Sequence, residues 1–223
     1  MTLPLRPPLT RRDWLVLAVS VALLLLLARL VEGREAPAFD QGLLRWLGIH
    51  LPPLARWLLV QVYRMSGVGF TGGLVLLALL DLLRRRWWHD LRLLAVSTGG
   101  ILAIVDLWLK PLFDRARPHE RLLMVDGRSF PSGHAAGSIA FYLAMVAILS
   151  WHQPRLRRPL TIAVISWIGL VWLSTLVARA HWPSDLLAGG AVGTAWLTIC
   201  LAYWRATRPQ PESLQPSAGL PSS

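Results

Sequence analysis

Six stretches of this chain are apolar for long enough to cross about 30 Å of hydrocarbon: Trp14 to Val31, Trp57 to Leu83, Leu91 to Leu112, His134 to Trp151, Leu160 to Val177 and Leu186 to Trp204. In lipid every backbone amide must be satisfied within its own segment or within a closed barrel, so apolar runs of this length restrict the fold to a helical bundle. The expected class is all-α, a polytopic membrane protein with six transmembrane helices. A hydrophobic content of 54%, gathered in runs rather than spread at amphipathic spacing, excludes a soluble core. Tryptophans at run edges, among them Trp14, Trp87, Trp88, Trp151 and Trp204, fit rings seated where hydrocarbon meets headgroup.

The flanks divide the chain into an N-terminal segment 1–13, a membrane domain 14–207 and a tail 208–223. That tail is rich in Pro, Ser, Gln and Gly, a composition that predicts disorder. The first span is read as an uncleaved anchor. Ala36-Pro37-Ala38 loosely fits a signal cleavage site, but Arg29, Glu32, Arg34 and Glu35 crowd the approach to it. Between the first two spans, Phe39 to Arg56 mixes leucines with Arg45, His50 and Arg56 and is broken by Pro52 and Pro53; an interfacial helix and a plain loop both fit.

A formal charge of +11 would suggest nucleic acid in a soluble protein, but these arginines lie between apolar runs. The partners expected are the bilayer and anionic lipid, not nucleic acid. Cys200, the one cysteine, lies inside a run and reads as a small buried hydrophobe. Lys and Arg divide almost evenly between the two sides, yet the tight clusters Arg84-Arg85-Arg86 and Arg155, Arg157, Arg158 fall in short loops, where positive charge marks the cytoplasmic side. Both termini are therefore expected inside.

Three polar stretches then share the opposite face by parity of the spans: KPLFDRARP (Lys110 to Pro118), FPSGH (Phe130 to His134) and ARAHWPSD (Ala178 to Asp185). Lys110 is the only lysine, against 22 arginines. It fits a compact ammonium held for a phosphoryl oxygen, and equally a cation snorkelling to the interface. Asp106 and Asp114 stand four residues either side of it, on its face if the helix continues. Pro131-Ser132-Gly133-His134 opens a helix, where free amides favour an anion and Ser132 can cap. Asp185, four residues after His181, can accept a hydrogen bond from its ring and fix the tautomer. Small residues on the fourth and sixth spans, including Gly133, Ala136, Gly189 and Gly193, predict close packing of the two helices.

Lys110-x6-Arg117-Pro118, then Pro131-Ser132-Gly133-His134, then His181-x3-Asp185 together resemble, in order and spacing, the three-part signature of the type 2 phosphatidic acid phosphatase (PAP2) superfamily, over residues 110–190. The resemblance implies a lipid phosphatase without metal or cofactor, its site at the outer face of a bacterial inner membrane. Lys110 and Arg117 would bind phosphate oxygens, with Ser132 and the Gly133 amide completing the cradle. His181 would attack phosphorus, oriented by Asp185, and His134 would protonate the leaving oxygen. One departure stands out: the family's third motif usually begins Ser-Arg, and Ser174 and Thr175 occupy those places. Arg179, two residues before His181, fits a substitute phosphate ligand and equally an arginine anchoring the headgroup interface.

Undecaprenyl diphosphate, phosphatidylglycerol phosphate, phosphatidic acid and lipid A phosphates all fit as substrates, and the sequence leaves the oligomeric state open. The alternatives are a phosphotransferase on the same scaffold and a non-catalytic lipid-binding or transport relative. A vanadate-dependent haloperoxidase shares the motif logic but not the membrane burial.

Overall fold

The computed structural model describes residues 9–32, 36–119, 121–123 and 126–208, so most of the proposed tail and N-terminal segment lies outside the described residues. The described chain is all helical. Helix α1 (Arg11–Val31) opens on a capping box in which Thr10 and Asp13 satisfy each other's backbone donors, three residues earlier than the hydropathy suggests. Helix α2 (Ala38–His50) and helix α3 (Pro53–Met65) occupy the mixed segment, separated at Leu51 and Pro52. Helix α4 (Val68–Arg84) follows.

The second span is thus not the continuous helix expected over Trp57 to Leu83. It is two helices bent by 48°, broken at Ser66-Gly67. Ser66 turns its hydroxyl back onto the Tyr63 carbonyl, and Gly67 adopts extended backbone ahead of α4. Both features end a helix rather than propagate one.

The remaining spans are continuous: α5 (Trp88–Phe113), α6 (Gly133–His152), α7 (Arg157–Val177) and α8 (Pro183–Thr207). With α1 they make five helices, among the described residues, apolar and long enough to cross a membrane, and the bent α3–α4 pair makes up to six. Two spans carry π-helical turns, Ala103–Leu109 in α5 and Ile139–Leu143 in α6. The first rotates the end of α5 immediately before Lys110.

Helix α8 is the axis of the bundle. Gly189 and Gly193 let α6 approach it backbone to backbone: a Cβ on Gly189 would stand 2.3 Å from the Ser132 carbonyl oxygen, and one on Gly193 2.7 Å from that of Ala136. The packing expected from the small residues is realised at these two positions. On another side of α8, Leu27, Ala28 and Val31 of α1 pack with Phe130 and Ala188, and Arg205 pairs with Asp13 at 2.8 Å. At the end of the bundle away from the three motifs, buried Asp90 accepts from Trp204 Nε1 at 2.9 Å, lies 2.8 Å from His152 Nε2 and is ion-paired with Arg208, locking α5, α6 and α8 together.

Candidate active site

Span parity brings three segments to one face, and the backbone then fixes them side by side. The Ser129 amide donates to the Arg115 carbonyl at 2.9 Å, and the Ser132 amide donates to the Asp185 carbonyl at 2.9 Å. The loop after α5, the start of α6 and the start of α8 are therefore one unit before any side chain is considered.

His181, in the α7–α8 turn, is 1% exposed. Its Nδ1 lies 2.9 Å from the Ser129 carbonyl oxygen. A carbonyl can only accept, so Nδ1 carries the proton and Nε2 presents its lone pair. That lone pair faces Arg117 Nη1 at 3.3 Å. The carboxylate of Asp185 stands 3.6 Å from Nδ1, close enough to stabilise positive charge on the ring but too far for the direct hydrogen bond expected from the sequence. Burial lowers the His181 pKa below 6.5; Asp185 opposes that shift, and Arg117 and Lys110 reinforce it. The ring is therefore neutral at pH 7, the form a nucleophile requires.

Asp185 spends its oxygens elsewhere. Oδ2 accepts the Trp182 amide at 2.8 Å and Oδ1 accepts Arg115 Nη1 at 2.6 Å. Arg115 also donates to Ser184 Oγ at 2.8 Å and to Asp40 Oδ2 at 2.8 Å. Asp40, at 0% exposure, accepts further from the Ser184 amide at 2.8 Å and the Ser184 hydroxyl at 2.5 Å. Helix α2, which the sequence left between an interfacial helix and a loop, is thus joined to the base of the site through one buried carboxylate.

Arg117 donates to the Ala180 carbonyl at 2.6 Å and, through Nε, to the Gly127 carbonyl at 3.1 Å, which fixes the guanidinium beside His181. Burial lowers its pKa too, from a starting value so high that it remains a cation. Lys110 pairs with Asp106 at 2.5 Å, and a Cβ placed on Gly133 would lie 3.7 Å from its ammonium. Asp114 does not share that face. Helix α5 ends at Phe113, Asp114 turns into left-handed backbone at φ 44°, and its carboxylate pairs with Arg128.

Ser132 caps α6 by accepting the Ala135 amide at 3.3 Å, while the Ala136 amide returns to its carbonyl. Gly133 and His134 stand in the first turn of α6, where backbone amides have no partner within the helix. His134 lies edge to face with His181, ring centroids 5.9 Å apart, and stacks on Tyr63 of α3 at 5.2 Å. Its Nε2 is buried and has no hydrogen-bond partner among the described residues.

With this geometry in view, a family model described as "PAP2 superfamily" matches residues 90–209, more than half of the chain. The chain belongs to the PAP2 superfamily. Among curated proteins, the lipid A 4'-phosphatase of Bacteroides thetaiotaomicron is 28% identical over 126 residues, 50% of this chain and 53% of that protein. The lipid A 1-phosphatase of Rhizobium johnstonii is 38% identical over 74 residues, 33% of this chain and 27% of that one. The matches thus span about half and about a quarter of these relatives' lengths. Among solved structures, the transmembrane PAP2-type phosphatidylglycerolphosphate phosphatase of Bacillus subtilis superposes with a TM-score of 0.78 at 19% identity, covering 86% of this chain and 97% of that one, a likeness of fold.

The departure from the PAP2 signature has a structural counterpart. Thr175 is 0% exposed inside α7, its hydroxyl bonded to the Trp172 carbonyl, and Ser174 is equally buried. Arg179 sits in left-handed backbone, φ 53°, with Nη2 3.3 Å from where a Cβ on Gly48 of α2 would stand. Three contributors escaped the sequence reading: Asp40, Tyr63 and the Ser129 carbonyl. Arg115 lay within the quoted KPLFDRARP stretch, and only its buried partners distinguish it from the other arginines.

Proposed function

We propose that this PAP2 protein is a lipid phosphatase that removes phosphate from a lipid phosphomonoester or diphosphate through a phosphohistidine at His181, without a metal. The observation that carries the reading is the His181 ring: Nδ1–H held by a backbone carbonyl, Nε2 unprotonated, and the Arg117 guanidinium 3.3 Å from Nε2, where phosphate oxygens would arrive. Phosphoryl transfer asks mainly for positioning and charge stabilisation. Lys110, Arg117, the Ser132 hydroxyl and the Gly133 amide form the cradle, and the loss of the motif arginine at Thr175 leaves Arg117 as its main guanidinium.

In the first step the Nε2 lone pair bonds to phosphorus as the bond from phosphorus to the lipid oxygen breaks. Asp185 stabilises the positive charge that grows on the ring. The negative phosphate favours the imidazolium form of His134, whose Nε2–H protonates the leaving oxygen. In the second step neutral His134 takes a proton from water, the water oxygen bonds to phosphorus, and the N–P bond breaks to release phosphate.

The arginine clusters of the α4–α5 and α6–α7 connections support a cytoplasmic location for that end of the bundle and a periplasmic site in an inner membrane. The named relatives favour a lipid A phosphate among the candidate substrates. The test is phosphate release by purified protein from a panel of lipid phosphates in the presence of chelator, with labelled substrate to trap the phosphoenzyme. Phosphate release without an acid-labile phosphoenzyme that depends on His181 would overturn the mechanism, and no release from any lipid would overturn the function.

A further inference from the structure

Among the described residues, Lys110, Arg117, His181 and Asp185 are each anchored by a hydrogen bond or an ion pair, whereas the buried Nε2 of His134 meets no partner. The torsion that turns an imidazole about its bond to Cβ is broad and shallow, so a ring without such an anchor is poorly aimed. A general acid has to be aimed, because its proton must reach one oxygen. What limits the His134 ring is aromatic contact. The Tyr63 ring of α3 lies against its face, centroids 5.2 Å apart and planes inclined by 28°, and the His181 ring meets it edge to face at 5.9 Å.

Tyr63 is itself firmly set. It is buried and packs with Ala178 and Ala180 of the α7–α8 turn, both fully buried. Ala180 immediately precedes His181, and its carbonyl accepts Arg117 Nη1 at 2.6 Å. One phenol ring therefore touches both the acid and the turn that carries the nucleophile. Helix α3 ends just beyond it: the Ser66 hydroxyl donates to the Tyr63 carbonyl at 3.1 Å, the Ser66 amide to the Val62 carbonyl at 2.8 Å, and the chain bends by 48° into α4. The bend frees α3 to pack along α7 instead of continuing the line of α4. The Tyr63 hydroxyl makes no hydrogen bond among the described residues, so the contacts that place this side chain are those of its ring.

Resting on the reading of His134 as the acid of a lipid phosphatase, we infer that Tyr63 is a positioning residue for proton transfer: its flat ring holds the His134 imidazole so that Nε2–H faces the leaving oxygen. Tyr63 acts through His134 and touches no reacting atom. Its removal then leaves phosphate binding at Lys110 and Arg117 in place and releases only the aim of the acid. The loss falls where the leaving oxygen needs a proton most, on a phosphomonoester whose leaving group is an alkoxide. A diphosphate, whose leaving group is a phosphate, depends on that proton less.

The test measures kcat and KM of the full chain, purified in detergent, on phosphatidic acid and on a polyprenyl diphosphate. Tyr63→Leu removes the flat ring, Tyr63→Phe keeps it without the hydroxyl, and each is combined with His134→Ala. Tyr63→Leu is expected to lower kcat on phosphatidic acid by about tenfold or more at unchanged KM, and on the diphosphate by about threefold or less. Tyr63→Phe should stay within about twofold of the unaltered protein on both lipids, since the ring is retained. In the His134→Ala background Tyr63→Leu should cost nothing further, because the group it aims is gone. Should Tyr63→Leu fail to accumulate, Tyr63→Met, which fills a similar volume without a flat ring, is read in the same way. Equal losses on the two lipids, a Tyr63→Phe as damaged as Tyr63→Leu, or additive losses with His134→Ala overturn the positioning role and leave the phosphatase reading intact. If His134→Ala alone loses equally on both lipids, or the unaltered protein releases no phosphate from either, the reading beneath the inference fails instead.

Discussion

Replacing Asp40 with asparagine should damage catalysis from a helix that touches no reacting atom. Asp40 accepts three hydrogen bonds, from Arg115 and from the amide and hydroxyl of Ser184, at 2.8, 2.8 and 2.5 Å. Asparagine keeps the shape but removes the charge, and its amide turns a donor toward at least one of those donors. Hydrogen bonds to charged groups contribute about 1.5–3 kcal/mol each, and breaking a buried ion pair by removing one partner costs about 3–5 kcal/mol. Arg115 retains Asp185 as a partner, so the lower end, about 3 kcal/mol, is the appropriate figure. Arg115 also braces Asp185 and, through its carbonyl, the Ser129 segment that fixes the His181 tautomer. If half of that energy is lost from the transition state, kcat falls about tenfold, since 1.36 kcal/mol is a decade. KM should hold, because Lys110 and Arg117 are not in the network. The assay is phosphate release with a kcat and KM split, beside a thermal-unfolding midpoint in detergent. A midpoint lowered by several degrees with kcat within twofold of wild type would refute the positioning role and leave Asp40 a structural brace only.

Three further outcomes are expected. His181→Ala should abolish turnover while the protein remains inserted in the membrane, and His134→Ala should be severe for a phosphomonoester but milder for a diphosphate, whose leaving phosphate needs a proton less; residual activity of His181→Ala within tenfold of wild type, or equal losses for His134→Ala on both substrates, would contradict the roles. The acid limb of kcat/KM assigned to His181 should lie below pH 6.5, because burial depresses its pKa and the ring stays neutral to lower pH; Asp185→Asn removes an influence that raises the pKa and should move the limb lower still, whereas a limb above 6.5 would contradict the burial argument. The same depression means the unfolded chain binds the proton first, so stability should fall as pH drops below about 6.5. Cysteines at Gly127 and Arg155 in a Cys200→Ser background should react with an impermeant thiol reagent from the outside and only after permeabilisation, respectively; the reverse pattern would place the site in the cytoplasm.

Spans and motifs were legible because their signals are local. Hydropathy marks a continuous run, and the Lys110, Arg117, His134 and His181 spacing lies within about one third of the sequence. The break in the second span was not legible: Ser66-Gly67 interrupts an apolar stretch without a proline or a charge, and a hydropathy window averages across it. The tautomer lock was legible in kind but not in partner. A histidine followed by an aspartate one turn later invites a direct bond, yet Asp185 caps its own helix at the Trp182 amide and pairs with Arg115, and a carbonyl 52 residues earlier in the chain takes its place.

Asp40 shows most clearly why sequence reading stops where it does. In the segment Phe39 to Arg56 it is an acidic residue near a helix start, where stabilisation of the helix dipole is sufficient reason for it. Its second meaning arises only when α2 lies across the α7–α8 turn and a carboxylate 75 residues before Arg115 becomes that arginine's partner.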